Sequence, residues 1–361
     1  MWYFLPLLER HVEVAQQDRL LEMGYYDPRG ALWAARRAAV VVALRPAVDL
    51  ANDLEQRRQA EALRTLDVRL AVQLEPADAG TFDVALLLAP FYLGNVVVQE
   101  ALRACAAALR PGGTLYVQVH RRHGGGTYVR FAEALFEYVE LLGMGGGQRR
   151  LYGARRPRAA GALPALPPAA ERPMQEVAVG GVTLRLRLAA GVFAARAVDP
   201  GSRLLLDTVR LRPGAAVLDL GCGAGVIGLA LAAGDPRARV VLVDSSRAAV
   251  DLARANAAAN HLANVDVRLG DAYAAVAGER FDCIVSNLPA HRGHHVDTAA
   301  ARRFIAGAPA HLGADGEAWF VANAALPYEG AAARAFRQVR LAAGGRYKVL
   351  HCVGPRPGER P

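Results

Sequence analysis

A glycine-rich turn between a predicted strand and a predicted helix is the part of this chain best suited to hold a small molecule. Residues 217–228 read VLDLGCGAGVIG. The apolar strand carries one acid, Asp219, and Gly221, Gly223 and Gly225 let the backbone turn tightly and approach a ligand without Cβ clashes. We therefore predict a nucleoside-containing cofactor at this turn, with Asp219 either orienting that cofactor or capping the turn.

The residues near the turn leave two cofactor classes open. Gly223, Gly225 and Gly228 also satisfy the G-x-G-x-x-G spacing of dinucleotide-binding proteins, which is a weak match when taken alone. Asp244 ends the next predicted strand, and an acid there accepts hydrogen bonds from the ribose hydroxyls of NAD and of S-adenosylmethionine alike. The choice between the two cofactors depends on residues further along the chain.

A later predicted strand ends in Asn287-Leu288-Pro289, and this tripeptide favours methyl transfer to an amino group. A planar amino nitrogen carries two protons, and the Asn side-chain oxygen and the next backbone carbonyl can each accept one of them, so that catalysis is mainly positioning. Here the chain resembles the S-adenosylmethionine-dependent methyltransferases that end their fourth strand in Asn-Pro-Pro-aromatic and methylate exocyclic amino groups. The resemblance implies S-adenosylmethionine as the cofactor and these three residues as the catalytic ones.

Further motifs narrow the resemblance. They stand, in order, at Gly191–Val209, Asn287–His295, Ala322–Phe336 and Arg346–Leu350. Together they are similar to the two-domain bacterial ribosomal RNA guanine-N2 methyltransferases, over about residues 176 to 354. The resemblance implies methyl transfer to the exocyclic N2 amine of a guanine in ribosomal RNA, expected to be 16S rRNA, with the small ribosomal subunit as partner.

The same resemblance assigns roles to residues around the turn and the tripeptide. It implies that Ser245, beside Asp244, and Asp271 and Ala272 contact the cofactor, with Asp271 accepting from the adenine amino group, and it places the substrate at Ala290, His291 and Arg292. The sequence departs from the family pattern at Leu288, which replaces a Pro, and at Ala290, which replaces an aromatic. The aromatic of the family stacks on the target base, and such stacking is worth about 1–3 kcal/mol per base.

Two other functions stay open at this point. One is a methyltransferase that acts on another planar amine, either an adenine N6 or a protein glutamine. The other is a non-catalytic RNA-binding factor of ribosome assembly, because Ala290 lacks the stacking ring. No metal is expected, since the His-x-x-His-His run at residues 291–295 lacks further ligands at metal-binding spacing.

Composition is compatible with an RNA partner. The chain has 361 residues and a formal net charge of +9, and Lys348 is its single lysine. Arginine pairs with phosphate in a bidentate way and stacks on bases. A basic loop, His120-Arg121-Arg122-His123 followed by glycines, could meet phosphates or stand in solvent.

The cysteines and the hydropathy pattern predict a cytoplasmic protein without a membrane span. Cys105, Cys222, Cys283 and Cys352 are scattered and indicate reduced thiols. No run of about 18 apolar residues is present, and the first residues lack the features of a signal peptide. We expect a monomer.

A weak internal repeat predicts the architecture. Residues 82–90 align with 281–289, and 110–119 with 313–322, on either side of a Pro/Ala-rich linker at 155–173. We predict an α/β chain of two tandem Rossmann-like methyltransferase folds, each a doubly wound, mostly parallel sheet with a late antiparallel hairpin. Residues 1–154 form a degenerate domain without a cofactor site and 174–361 the catalytic domain. In the first domain, Ala38–Ala47 is aligned with the glycine strand and Leu88 with Asn287.

Overall fold

The chain folds into two compact units, residues 1–171 and 172–361. The structure is a computed structural model that describes residues 5–25, 27–71, 73–146, 148–156, 173–192, 197–289, 291–292, 295–296 and 298–356. Most of the linker predicted at 155–173 lies outside these described residues.

The first unit is a seven-stranded sheet with helices on both faces. Its strands are β1 (Arg19–Met23), β2 (Val40–Arg45), β3 (Leu66–Leu70), β4 (Phe82–Leu88), β5 (Leu109–His120), β6 (Tyr138–Gly145) and β7 (Arg149–Arg155). Its helices are α1 (Leu5–His11), α2 (Arg29–Ala35), α3 (Val48–Ala60), α4 (Asn95–Ala108) and α5 (Gly125–Glu133). The strand order is β3-β2-β1-β4-β5-β7-β6, in which β7 runs antiparallel to both of its neighbours.

The second unit repeats this plan. A separate hairpin of β8 (Gln175–Val179) and β9 (Val182–Leu186) comes first. The main sheet consists of β10 (Ala216–Leu220), β11 (Arg239–Asp244), β12 (Val265–Leu269), β13 (Phe281–Asn287), β16 (Leu312–Asn323), β17 (Phe336–Ala343) and β18 (Tyr347–Pro355). Between β13 and β16, the short strands β14 (His291–Arg292) and β15 (His295–Val296) form a pair of their own. The helices are α6 (Pro200–Thr208), α7 (Val226–Gly234), α8 (Arg247–Ala259), α9 (Ala299–Gly307) and α10 (Glu329–Ala335). The sheet order is β12-β11-β10-β13-β16-β18-β17.

The central strands are apolar because both faces of the sheet are covered. In β10 and β11 every residue between the strand ends is buried. Alternate residues belong to different apolar clusters: Val217 and Val240 pack on one face, and Leu218 and Val241 pack on the other. Parallel strands buried on both faces leave only their carboxyl ends accessible, and ligands of doubly wound sheets bind at those ends.

The predicted fold class is confirmed, but one alignment between the two halves is wrong. β1 lies between β2 and β4 as β10 lies between β11 and β13, so the counterpart of the glycine strand is β1, not Ala38–Ala47, which contains β2. β1 carries no signal of this kind in the sequence, because Gly24 is followed by two tyrosines and an aspartate rather than by the alternating glycines of residues 221–225. The alignment of Leu88 with Asn287 agrees with the sheet order, since both end the fourth strand.

Candidate active site

The glycine turn connects β10 to α7 in a conformation that only glycine adopts readily. Gly221, Gly223 and Gly225 have φ angles of 74°, 56° and 85°. A Cβ on Gly228 would lie 2.7 Å from the Leu242 side chain, so α7 packs directly on β11. At its three glycines the turn therefore presents backbone without a side chain.

Asp244 holds this turn from the neighbouring strand. Its Oδ2 accepts from the Gly223 N–H at 2.8 Å, and its Oδ1 accepts from the Ser246 N–H at 2.8 Å. Asp244 and Ser245 are both half-buried at the end of β11. A carboxylate fixed in this way is placed to accept hydrogen bonds from vicinal hydroxyls of a ribose.

Asp219 caps the helix after the turn. Its Oδ2 accepts from the Gly228 N–H at 2.8 Å, and among the described residues its Oδ1 has no partner although it is buried. Burial raises the pKa of Asp219 to about 7, and the nearby Asp244 charge adds to the elevation. Of the two roles predicted for Asp219, the capping role is present in the structure.

Asp271 follows β12 and faces helix α9. Its two carboxylate oxygens accept from the Arg303 guanidinium, each at 3.1 Å. Each oxygen keeps lone pairs for a further donor, so this ion pair does not exclude an adenine amino group. The next residue, Ala272, has a left-handed φ of 49°, which is uncommon for a residue other than glycine.

Asn287, at the end of β13, has both amide protons engaged. Its Nδ2 donates to Asp199 Oδ2 at 2.9 Å and to Ser202 Oγ at 3.0 Å. Because a carboxylate only accepts, this contact fixes which end of the amide is the nitrogen. The Asn287 Oδ1 is consequently the atom left to accept a proton from a ligand.

The rest of the tripeptide is held by neighbouring strands. The Leu288 N–H donates to the Val321 carbonyl at 2.9 Å, and the Leu288 side chain is buried. The Ser286 hydroxyl donates to the Leu220 carbonyl at 2.6 Å, which ties β13 to the residue preceding the glycine turn. Pro289 is half-buried. These bonds bring the tripeptide and the turn to the same edge of the sheet.

The sequence interpretation missed the residues that orient Asn287. Asp199 is the N-cap of α6, where its Oδ2 also accepts from the Ser202 N–H at 3.1 Å, and the Tyr347 hydroxyl lies 3.5 Å from its Oδ1. An Asp before Pro-Gly-Ser is a strong helix-start signal that could have located α6. It could not have shown that the same carboxylate reaches a residue 88 positions away in the sequence.

Of the three predicted substrate residues, the structure describes only the backbone of two. Ala290 lies outside the described residues. His291 and Arg292 form β14, which pairs antiparallel with β15. Neither side chain of β14 is described, so their predicted contact with RNA stays a prediction.

The first unit has different residues at the corresponding strand ends. Glu22 stands where Asp219 stands and Arg45 where Asp244 stands, and they form a buried ion pair with 2.6 Å between Arg45 Nη1 and Glu22 Oε2. A Cβ on Gly24 would meet Glu22 at 2.5 Å and Arg45 at 2.9 Å. In the first unit the Glu22 and Arg45 side chains therefore pack directly against Gly24, which occupies the position of Gly221.

Two absences concern the described part of the chain. None of its helices is long and apolar enough to span a membrane. In the same ranges, no three His, Cys, Asp or Glu side chains are grouped so as to hold a metal ion.

The four cysteines are free, and burial raises the pKa of the Cys283 thiol far above its ordinary value. This thiol stays protonated and is not a nucleophile.

The site defines the class of the protein. A strand-end amide whose nitrogen is engaged within the protein, at the same sheet edge as a glycine turn and an acid on a neighbouring strand, distinguishes methyltransferases that act on amino groups from the dehydrogenases that share the doubly wound sheet. The protein is in the class of Rossmann-like methyltransferases, and comparison with known proteins agrees. A family model, the Methyltransferase small domain, matches residues 183–351.

Two curated relatives indicate a narrower family within this class. The Ribosomal RNA small subunit methyltransferase C of Klebsiella pneumoniae is 41% identical over 179 residues, which are 49% of this chain and 52% of that protein. Its namesake from Enterobacter sp. is 41% identical over 193 residues, or 53% and 55% of the two chains. The chain therefore spans about half the length of the curated relatives it matches.

The structural match extends over both units. The 16S rRNA N2 methyltransferase of T. Thermophilus, solved in complex with AdoMet and guanosine, superposes with a TM-score of 0.80 at 30% identity, covering 96% of this chain and 91% of that chain. The chain belongs to the family of two-domain ribosomal RNA small subunit methyltransferases.

Proposed function

We propose that this protein transfers a methyl group from S-adenosylmethionine to the exocyclic N2 amine of a guanine in 16S ribosomal RNA. The observation that carries the proposal is the Asn287 amide, whose protons are held by Asp199 and Ser202 so that its oxygen is the atom left to accept from a ligand. The named activity of the relatives and the guanosine bound to the T. Thermophilus enzyme support the same substrate.

The residues present fit the cofactor. At Gly221, Gly223 and Gly225 the turn offers backbone against which a methionine moiety can lie, because these three residues carry no side chain. Asp244 would accept from the ribose hydroxyls and Asp271 from the adenine amino group, with Ser245 and Ala272 beside them. When bound, S-adenosylmethionine supplies an electrophilic methyl group on a sulfonium.

Asn287 and Leu288 act on the target amine by orienting it. The Asn287 Oδ1 accepts one N2 proton and the Leu288 carbonyl accepts the other, which directs the nitrogen toward the methyl donor. A methylated aryl amine loses its extra proton readily, so no strong base is needed. The guanine must leave its stack to reach this edge, which costs a few kcal/mol.

The setting of the reaction follows from the same proposal. The protein would act in the cytoplasm on the small ribosomal subunit or its RNA, as a monomer and without a metal. The first unit would bind no cofactor, because Glu22 and Arg45 occupy the corresponding space.

The proposal is tested by methylation in vitro. The full chain is incubated with methyl-labelled S-adenosylmethionine and small subunits from a strain that lacks its counterpart, and 16S rRNA is then digested and mapped by mass. We expect one labelled N2-methylguanine. A label on adenine N6, or on a ribosomal protein, would replace the proposed substrate, and RNA binding without any transfer would replace the proposed activity with an assembly role.

A further inference from the structure

Helix α9 of the second unit contacts two separate parts of the proposed cofactor site. Its buried Phe304 ring lies against the glycine turn, since a Cβ on Gly221 would be 3.2 Å from that ring. The preceding residue, Arg303, donates to both carboxylate oxygens of Asp271, each at 3.1 Å. Adjacent residues of one helix therefore reach the turn and the acid that would accept from an adenine amino group.

Packing fixes α9 on the segment that follows β12. The Tyr273 hydroxyl donates to the Phe304 carbonyl at 2.7 Å. A Cβ on Gly307 would lie 2.6 Å from the Tyr273 ring, so the helix backbone and this ring are in direct contact. Because Tyr273 is only two residues beyond Asp271, the helix and the acid belong to one docked unit of structure. Arg303 thus meets Asp271 from a defined scaffold.

Asp271 is also tied to the neighbouring strand end that carries Asp244. The N–H of Gly270, the residue before Asp271, donates to the Asp244 carbonyl at 3.0 Å. A Cβ on Gly270 would lie 2.5 Å from the Ala275 Cβ, which leaves this backbone little room to move. The two acids are therefore held on adjacent strand ends, as acceptors for the ribose and for the base of one nucleoside require.

The ion pair of Arg303 differs in place and geometry from other exposed pairs of this unit. The pairs of Arg212 with Asp282 and of Arg237 with Asp235 lie near the amino ends of strands. Arg303 binds both oxygens of a half-buried carboxylate at the carboxyl edge. Two parallel N–H···O bonds fix the plane of a carboxylate as well as its position. Since each oxygen retains a lone pair, Arg303 sets the direction in which that lone pair points.

We propose that Arg303 is a positioning residue, which orients the Asp271 carboxylate toward an adenine amino group and so makes the cofactor site selective for adenine over hypoxanthine. Adenine presents an N–H donor at this ring position, which a carboxylate accepts. Hypoxanthine presents a carbonyl oxygen there, which leaves the carboxylate without a donor. This role rests on the proposed function, since it takes S-adenosylmethionine as the cofactor and Asp271 as its adenine contact.

The test is calorimetric titration of the full chain with two probes, S-adenosylhomocysteine and S-inosylhomocysteine, which differ only in the base. Wild type should bind the adenosyl probe on the order of 100-fold more tightly, the effect of one hydrogen bond to a charged group. Arg303→Met removes the guanidinium donors, so it should weaken the adenosyl probe on the order of 10-fold and change the inosyl probe less than about twofold. A general loss of structure would instead weaken both probes equally.

The matched control is Arg302→Met, the same substitution one residue earlier. Arg302 is exposed, and its Nε donates to the Thr298 hydroxyl at 3.5 Å rather than to Asp271. Both probes should therefore bind this variant within about twofold of wild type. Asp271→Ala should remove most of the preference for adenine, and adding Arg303→Met to it should change neither Kd further, because a residue that acts through Asp271 then has nothing to orient.

Three results would overturn the positioning role of Arg303. The first is equal weakening of both probes by Arg303→Met, and the second is a further loss from this substitution when Asp271→Ala is already present. The third is an equal effect of Arg302→Met and Arg303→Met. Tighter binding of the adenosyl probe by Arg303→Met would also overturn it, because the ion pair would then compete with adenine.

Failure of the Arg303 role and failure of the proposed function give different results. If wild type selects the adenosyl probe and Arg303→Met loses that selection, but no methyl group reaches 16S rRNA, Arg303 keeps its role and the proposed function fails. If wild type methylates 16S rRNA and Arg303→Met selects adenine as strongly as wild type does, the Arg303 role is wrong and the proposed function stands.

Discussion

At the residue scale, the account depends on one amide and the carboxylate that orients it. Asn287 could act without a partner, but a free amide can rotate and present either its oxygen or its nitrogen. Asp199 and Ser202 remove that freedom, because both accept from Nδ2. The site is therefore preorganised for an acceptor role before any ligand binds.

Asn287→Ala should abolish most turnover while the affinity for S-adenosylmethionine is nearly unchanged. The loss of one preorganised polar contact costs on the order of 3 kcal/mol, or two orders of magnitude in kcat. Single-turnover methylation and calorimetric titration measure the two effects. The control is Asn323→Ala at the exposed end of β16, the strand next to β13 in the sheet, which should keep wild-type turnover. A wild-type rate in Asn287→Ala would remove this strand end from the active site.

Asp199→Asn should lower kcat on the order of 100-fold with little change in the KM of either substrate, because an amide at position 199 no longer fixes which end of Asn287 faces the ligand. The double variant with Asn287→Asp restores a donor opposite an acceptor and should regain part of the lost kcat. If Asp199 served only as the cap of α6, Asp199→Asn would keep wild-type turnover and thermal stability, because asparagine caps a helix about as well as aspartate.

Asp219 should make stability depend on pH. Its folded pKa is raised to about 7 by burial, so the unfolded chain loses this proton at lower pH than the native chain. The stabilising contribution is complete below the unfolded pKa near 4 and is lost as pH rises through 7. Each unit of elevation is worth about 1.4 kcal/mol. Asp219→Asn keeps an oxygen for the Gly228 N–H but does not titrate. In urea unfolding, its free energy of unfolding should therefore decrease less between pH 5 and pH 8 than that of wild type. Equal decreases would mean that Asp219 titrates normally.

At the element scale, the two sheets share a strand order but differ in what their strand ends carry. The carboxyl ends of β10 and β11 hold a glycine turn and an accessible acid, whereas those of β1 and β2 hold the Glu22–Arg45 pair. Burial raises the pKa of Glu22, and the Arg45 charge opposes that rise. The same strand order thus carries a glycine turn and a carboxylate in one unit and a buried ion pair in the other.

The buried Glu22–Arg45 pair predicts how single and double substitutions change the free energy of unfolding of the first unit. Arg45→Met or Glu22→Leu alone leaves one buried charge without a partner and should destabilise the first unit by about 3–5 kcal/mol. The two substitutions together replace the pair with apolar volume and should cost far less than the sum of the single changes. Denaturant unfolding measures all three variants. Additive losses would show that the two side chains do not depend on each other.

More of the second sheet than of the first could be predicted from the sequence. The glycine turn, Asp244 and the Asn-Leu-Pro end could be found because each carries a local pattern that a ligand or a turn requires. β1 has no such pattern, so the sequence predicts Ala38–Ala47 as the counterpart of the glycine strand. For the same reason it gives no sign that Glu22 pairs with Arg45. Asp199 and Arg303 were missed for a related reason: each reaches its partner, Asn287 or Asp271, only through the folded chain.

At the scale of the whole molecule, a chain of two methyltransferase folds should bind one cofactor. Titration of the full chain with S-adenosylmethionine should give a stoichiometry near one, and NAD should not compete. Asp244→Ala should weaken binding strongly, because this carboxylate would accept from the ribose and also holds the glycine turn through Gly223. A stoichiometry of two would show that the Glu22–Arg45 pair does not close the first unit.

The most direct measurement of the central claim is mass mapping of 16S rRNA after reaction of unmethylated small subunits with the wild-type chain and with Asn287→Ala under single-turnover conditions. The account predicts one guanine that gains a methyl group on N2 with wild type, and the same product formed about 100-fold more slowly with the variant. The account is contradicted if no guanine gains a methyl group, or if the variant methylates that guanine at the wild-type rate.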